Sequence, residues 1–293
     1  MRKFFVELLI ASFFPFIVGF SDVPTDKDIE QDTIKKAIFF PQGQLFFPPM
    51  ANSKEPRTHA TYLNLKLPDD RINIGSIGFG DSFGLARCPG WGDEDAWQLN
   101  ISGVILAQFN MDSESIDLLN ADYIIGFPLS YRNEPWSARL RIFHQSSHLG
   151  DEFLLSSQPS DLEEPRINLS FESIELFVAY EWEGIQLTAG SSYIIHSDTD
   201  LKRKIIQAGI DYQSKKPVFK PTIRLFAGVL YNTWEETDWN ANFNVKAGFN
   251  IRSPYAGKRG IQIFGEYYNG NLPFGQFYEV RTEYYGGGIN VSF

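Results

Sequence analysis

Two residues of this chain combine reactive side chains with a useful spacing. His144 and Ser146 are separated by a single residue. On an extended strand, residues i and i+2 share a face, so both side chains point the same way. A serine becomes a nucleophile when a neighbouring base takes its proton, and that base works best when a third group orients it. A His-x-Ser pair on one strand face therefore holds two parts of an acyl-transfer site. A structural reading of the same pair also stands: His144 as an interfacial aromatic, Ser146 as the start of a loop. Two residues alone make a weak motif. His148 extends the face, but His144, Ser146 and His148 lack the carboxylate that would complete a metal set. Asp151 and Glu152, just beyond, could offer carboxylates to Ca²⁺, although acidic loop residues are usually only solvated.

The element that must position the pair is a strand. Trp136, Ala138, Leu140 and Ile142 lie on the face of His144 and Ser146, while Arg139, Arg141, Phe143 and Gln145 lie on the other. The same period of two recurs along the chain. Trp97, Leu99, Ile101, Ile105 and Phe109 alternate with Gln98, Asn100, Ser102, Gln108 and Asn110. Tyr123, Ile125, Phe127 and Leu129 follow, then Ile174, Leu176, Val178 and Tyr180, and Val245, Ala247, Phe249 and Ile251. The polar faces are rich in Asn, Gln, Ser, Gly, Arg and Glu, which predicts apolar-out, polar-in alternation. The expected architecture is all-β: a closed antiparallel transmembrane barrel of about twelve strands. The strands are expected at 58–67, 72–87, 96–110, 119–131, 136–146, 166–181, 184–195, 203–214, 219–231, 240–252, 259–268 and 278–293.

Connectors 132–135, 182–183 and 253–258 are short, as periplasmic turns are, whereas 147–165, 232–239 and 269–277 are longer and polar, as external loops are. Connectors 68–71 and 88–95 fit this scheme poorly. With a rise near 3.3 Å and a tilt near 40°, each residue climbs about 2.5 Å along the membrane normal. His144 then lies roughly 20 Å above Trp136, near the outer edge of an apolar band about 25 Å tall, where the ester of an outer-leaflet lipid sits. Arg139 and Arg141 would face the lumen opposite a strand carrying Glu175 and Glu181. Such charge pairs fill and stiffen a barrel, or line a pore.

Composition agrees. The chain has 293 residues, a formal net charge of -10 and one cysteine, Cys88. The acidic balance argues against nucleic acid, and a single cysteine excludes an intramolecular disulfide or a CxxC pair. Aromatics reach 15 %, a supply that interfacial girdles would use. Residues 1–20 read as a secretion signal, with Arg2 and Lys3 before the apolar run from Leu8 to Phe20. Residues 21–57 read as a periplasmic lead-in. Within it 29–37 could form a short helix capped by Asp28, and Pro41, Pro48, Pro49 and Pro56 prevent anything longer. Residues 58–293 form the barrel.

Several stretches carry a resemblance. Tyr285, Gly287, Ile289, Val291 and the terminal Phe293 resemble the C-terminal signal of outer-membrane barrels, which implies handling by the barrel-assembly machinery. Leu45–Pro49 with Glu55-Pro56-Arg57, Asn120–Tyr123 with Gly126–Ser130, Trp136–Arg141, His144–Phe153 and Gly275–Tyr278 resemble a family of uncharacterised bacterial outer-membrane proteins, a domain of unknown function. The likeness covers roughly residues 40–293 and implies a location and outer-membrane lipids as neighbours. The His-x-Ser order is similar to that of outer-membrane phospholipase A and the lipid A deacylases. That resemblance implies an acyl-ester hydrolase with Ser146 as nucleophile, His144 as base and, by analogy with the phospholipase's asparagine, Asn168 as the orienting group. Asn168 faces outward if the phase of Ile174, Leu176 and Val178 runs unbroken. It faces inward if a bulge lies between Phe171 and Ile174.

Overall fold

In the computed structural model, residues 36–67, 70–92, 95–155, 167–218, 222–252 and 260–292 are described. The expected secretion signal, the expected helix over 29–37 but for its last two residues, the whole of connector 253–258 and Phe293 lie outside them.

Twelve long strands follow one another: β2 (Thr58–Lys66), β3 (Arg71–Pro89), β4 (Ala96–Asn110), β5 (Leu118–Asn133), β6 (Trp136–Leu149), β7 (Ser170–Trp182), β8 (Ile185–Ser197), β9 (Lys204–Gln213), β10 (Ile223–Trp234), β11 (Asn242–Arg252), β12 (Gly260–Asn271) and β13 (Arg281–Ser292). Each pairs antiparallel with the next, and β13 pairs with β2 through Val291↔Thr58 to Tyr284↔Leu65. The ring is therefore closed and has no free edge between its first and last strands. A short β1 (Ile38–Phe39), absent from the expected set, adds to the lower part of β3 below the start of β2. A short helix, α1 (Asp151–Leu155), follows β6.

The burial pattern is inverted relative to a water-soluble barrel. Gln98, Asn100, Ser102 and Gln108 of β4 are buried inside, while Leu99 and Ile105 on the same strand are exposed outside, as are Phe79, Phe83, Ile125, Phe127, Ile142, Leu176, Ile206 and Ile210. An apolar outer face of this extent suits lipid, not water.

The barrel has two unlike ends. One holds the tight turns 134–135 and 183–184, and the starts of β1 and β2. At the second of these turns Glu183 and Gly184 both take positive φ, 52° and 84°, as the right-handed strand twist demands of a two-residue hairpin. Aromatic rings gather at this near end. Trp97 packs on Tyr131 at 4.6 Å and Trp136 on Tyr180 at 4.9 Å. The Tyr131 hydroxyl donates to Asp95 Oδ2 at 2.6 Å, and the Trp91 and Gly92 amides donate to the same carboxylate. The far end holds the connectors 111–117, 198–203, 235–241 and 272–280, and the described ends, 150–155 and 167–169, of the connector after β6.

The lumen is filled from both ends. Residues 42–57, read from sequence as a lead-in outside the barrel, pass inside it as an extended strap. The prolines that forbid regular structure leave the strap's carbonyls free, and the wall supplies their donors. Gln98 donates to the Gly43 carbonyl at 3.0 Å, Arg132 to Leu45 at 3.1 Å, and Asn244 to Ala51 at 2.7 Å. The Met50 amide donates to Asp211 Oδ1 at 2.9 Å. Arg57 turns back to bond the Pro49 and Met50 carbonyls.

From the far end, connector 272–280 folds inward. Leu272, Phe274 and Phe277 are buried against Leu63, Leu65, Ile74, Tyr268 and Tyr284. Strap and connector meet at Asp122, a fully buried carboxylate on β5. Its Oδ2 accepts from Lys54 Nζ at 2.6 Å and from the Gly275 amide at 3.1 Å. Gly275 has φ of +35°, and a Cβ there would stand 2.2 Å from Asp122 Oδ1. Both the backbone angle and the close approach require glycine.

Candidate active site on the outer face of the barrel

Strand β6 divides its side chains cleanly. Arg139, Arg141, Gln145 and Ser147 are buried in the lumen, and Leu140, Ile142, His144, Ser146 and His148 lie on the outer face. The next strand settles the phase question. On β7, Phe171, Ser173, Glu175 and Phe177 are buried without interruption, so Ser170, Glu172, Ile174 and Leu176 lie outward. The register sets His144 opposite Glu172 and Ser146 opposite Ser170.

The imidazole of His144 therefore meets a carboxylate. His144 Nδ1 stands 2.8 Å from Glu172 Oε1. An ionised carboxylate only accepts, so this bond places the proton on Nδ1 and leaves the Nε2 lone pair available as a base. Should Nε2 take a proton, Glu172 would stabilise the resulting imidazolium. His144 Nε2 and the Ser146 hydroxyl make no hydrogen bond among the described residues. Residues two apart on a strand are separated by roughly 6.6 Å, so the two side chains must lean together to meet, as catalytic groups often do only in complex with substrate. His144 is 39 % exposed and Glu172 43 %, which puts the pair on the surrounding surface, outside the lumen. Across β5, Tyr123 lies opposite Ser146 and packs edge-on against His148 at 5.7 Å.

Asn168 is not at the imidazole. It precedes β7, four residues beyond Glu172, or roughly 13 Å along an extended chain. Its Nδ2 donates to Asp198 Oδ2 at 3.1 Å and its carbonyl accepts from Thr199 Oγ1 at 2.8 Å. Asn168 thus fastens connector 198–203, and Glu172 occupies the place at His144 for which Asn168 was expected. Asp151 and Glu152 are exposed in the first turn of α1. Among the described residues, no three His, Cys, Asp or Glu side chains gather as a metal site.

The lumen charges form a second constellation. Arg139 donates to Glu175 Oε1 at 2.9 Å, and Arg141 Nη2 lies 3.0 Å from the same oxygen. The fourth member comes from outside the strands. Glu55 of the strap accepts from Arg139 through both oxygens, at 2.5 and 2.9 Å, and lies 3.8 Å from Arg141. The two guanidiniums stack over Phe46, Phe177 and Phe143. Glu55 and Glu175 offset the two guanidiniums in a site closed to solvent, which is what a buried charge cluster needs, and Arg57 adds a third positive charge near Glu55. Glu181, also expected on this face, instead pairs with Arg132 at 2.7 Å.

Fold and site together define the class: a closed, twelve-stranded, outer-membrane-type β-barrel with a filled lumen and a His–Glu pair on its outer face. Residues 19–293 match the family described as "protein of unknown function (DUF1207)", and the chain belongs to that family. No curated protein matches the sequence. Among solved structures, outer membrane phospholipase A from Escherichia coli is similar with a TM-score of 0.53 and 12 % identity, over 86 % of this chain and 94 % of that one. The Salmonella typhi outer membrane phospholipase, solved as a dimer with bound calcium, gives a TM-score of 0.54 and 13 % identity over the same shares. At these identities the likeness is one of fold.

Proposed function

We propose that this protein is an integral outer-membrane hydrolase that cleaves acyl esters of outer-leaflet lipid, with Ser146 as nucleophile, His144 as general base and Glu172 as the group that orients the base. The near end lies in the periplasm and the far end outside the cell. The observation that carries the reading is the 2.8 Å bond between His144 Nδ1 and Glu172 on the lipid-facing side, two residues from Ser146. A histidine on such a surface gains nothing for apolar packing from a carboxylate partner. A base gains its tautomer, its orientation and a counter-charge. The acyl chain would lie along the apolar column of Leu140, Ile142, Ile174 and Leu176, bringing its ester to the level of Ser146.

In the reaction, Ser146 Oγ attacks the ester carbonyl while His144 Nε2 accepts its proton. The imidazolium returns that proton to the departing alkoxide, and water releases the fatty acid from Ser146 by the same relay. Conduction of solutes is the weaker reading, because the strap and connector 272–280 occupy the lumen. The test is fatty-acid release by the folded protein in detergent from phospholipid and from lipid A, with and without Ca²⁺. Activity lost in Ser146→Ala supports the reading. No release from either substrate by a folded, heat-modifiable barrel leaves a structural barrel as the function.

A further inference from the structure

Glu172 has a second partner. His196 Nδ1, on β8, stands 2.9 Å from Glu172 Oε2, so one carboxylate receives an imidazole on each oxygen. The three side chains come from three adjacent strands, aligned by the register His144↔Glu172↔His196.

That alignment depends on an irregularity in β8. Ser173 pairs with Ile194, yet Glu172 pairs with His196, so Ile195 is the extra residue of a β-bulge. A regular ladder would set Ile195 opposite Glu172 and carry His196 past it. Bulges cost ladder pairing and recur beside functional sites, where they re-aim a side chain. Here the re-aimed side chain is the one that reaches the free oxygen of Glu172.

We propose that His196 is a positioning residue: by donating from Nδ1 to Glu172 Oε2, it holds the carboxylate in the orientation that His144 requires. The proposal rests on the hydrolase reading for its consequence in catalysis, but its geometry stands independently. Glu172 is half exposed and has three rotatable bonds. A single contact from His144 would leave it free to turn toward water, and an oxygen fixed on either side removes that freedom. His196 is 68 % exposed, lies two strands from β6 and has Glu172 between it and His144, so it acts through the carboxylate.

Nitrogen-detected NMR of ¹⁵N-histidine-labelled full-length protein in nanodiscs, at neutral pH, tests this. The wild type should show His144 and His196 with the proton on Nδ1. Glu172→Gln should disturb both signals together. His196→Ala should move His144 toward the Nε2–H tautomer favoured by free imidazole, and His196→Gln, whose amide still donates, should restore it. In the release assay His196→Ala should lower kcat about tenfold with KM unchanged, and His196→Gln should stay within about twofold of wild type. A His144 tautomer indifferent to His196→Ala overturns the proposal. If wild-type protein releases no fatty acid, the hydrolase reading fails, and the tautomer result alone decides whether His196 positions Glu172.

Discussion

Replacing Glu55 by Gln should be among the most damaging single substitutions in the lumen. The change keeps shape and removes one charge. It leaves Arg139 and Arg141 facing Glu175 alone, with both guanidiniums buried at 6 % and 3 % exposure. At an effective dielectric near 20, a unit charge pair about 4 Å apart is worth about 4 kcal/mol, and Glu55 faces Arg139 closer than that and Arg141 at 3.8 Å. Much of the attraction is offset in the native protein by desolvation, but the cost of burying the arginines stays when Glu55 is neutralised. The expected loss is therefore about 3–5 kcal/mol. The assay is urea unfolding of the barrel in lipid vesicles, followed by tryptophan fluorescence. The double variant Glu55→Gln/Arg139→Gln leaves Arg141 and Glu175 balanced, and should recover at least half of the loss. A single-variant loss below about 1 kcal/mol, the scale of an exposed pair, or a double variant as unstable as the sum of its parts, would refute the reasoning.

Other outcomes follow from the same geometry. Glu172→Gln should lower fatty-acid release by about 10²–10⁴-fold, the span of general-base assistance, while Asn168→Ala leaves it within about threefold; equal effects would remove Glu172 from the site. Planar bilayers holding the wild-type protein should show no steady pore current, whereas a Gly-Ser replacement of residues 44–54 should either conduct or fail to fold; an open wild-type pore contradicts the filled lumen. Gly275→Ala should destabilise the seat of connector 272–280 by about 1–3 kcal/mol, read as faster proteolysis there. The Tyr131 hydroxyl, assisted by the turn amides, holds the Asp95 carboxyl below its ordinary value of 3.8. A lowered carboxyl stabilises the turn above the ordinary value, and that contribution is lost as pH falls through the lowered one. Tyr131→Phe should raise the Asp95 midpoint in a carboxyl NMR titration, and an unmoved midpoint would assign the shift elsewhere.

The twelve strands were legible because lipid and lumen impose opposite chemistry on alternate residues, and that contrast survives in the sequence of β4, β5 and β6. The strap was not, because residues 42–57 have no period. Their burial is created by groups far away in the chain, such as Arg139 on β6 and Asn244 on β11. A faint signal existed: Leu45, Phe46 and Phe47 are apolar residues in a segment expected to lie in water. His144 and Ser146 were legible as neighbours since both lie on one strand. Their link to Glu172 was not, because β6 and β7 are joined by the long connector 150–169, and only a short hairpin turn lets sequence fix register. The β8 bulge that aims His196 leaves no local mark either, for Ile194-Ile195-His196 alternates as plausibly in a regular ladder.

The strap also bears on the order in which the barrel is built. β2 begins at Thr58, directly after Glu55, Pro56 and Arg57, and it is β2 that meets β13 at the seam. The chain that fills the interior is thus continuous with the chain that shuts the wall. Glu55 is moored to Arg139 of β6, across the ring from the seam, so a docked strap would hold the start of β2 close to where β13 must meet it. A barrel deprived of its strap would lose, besides a stopper, the tether that leads into its closing strand.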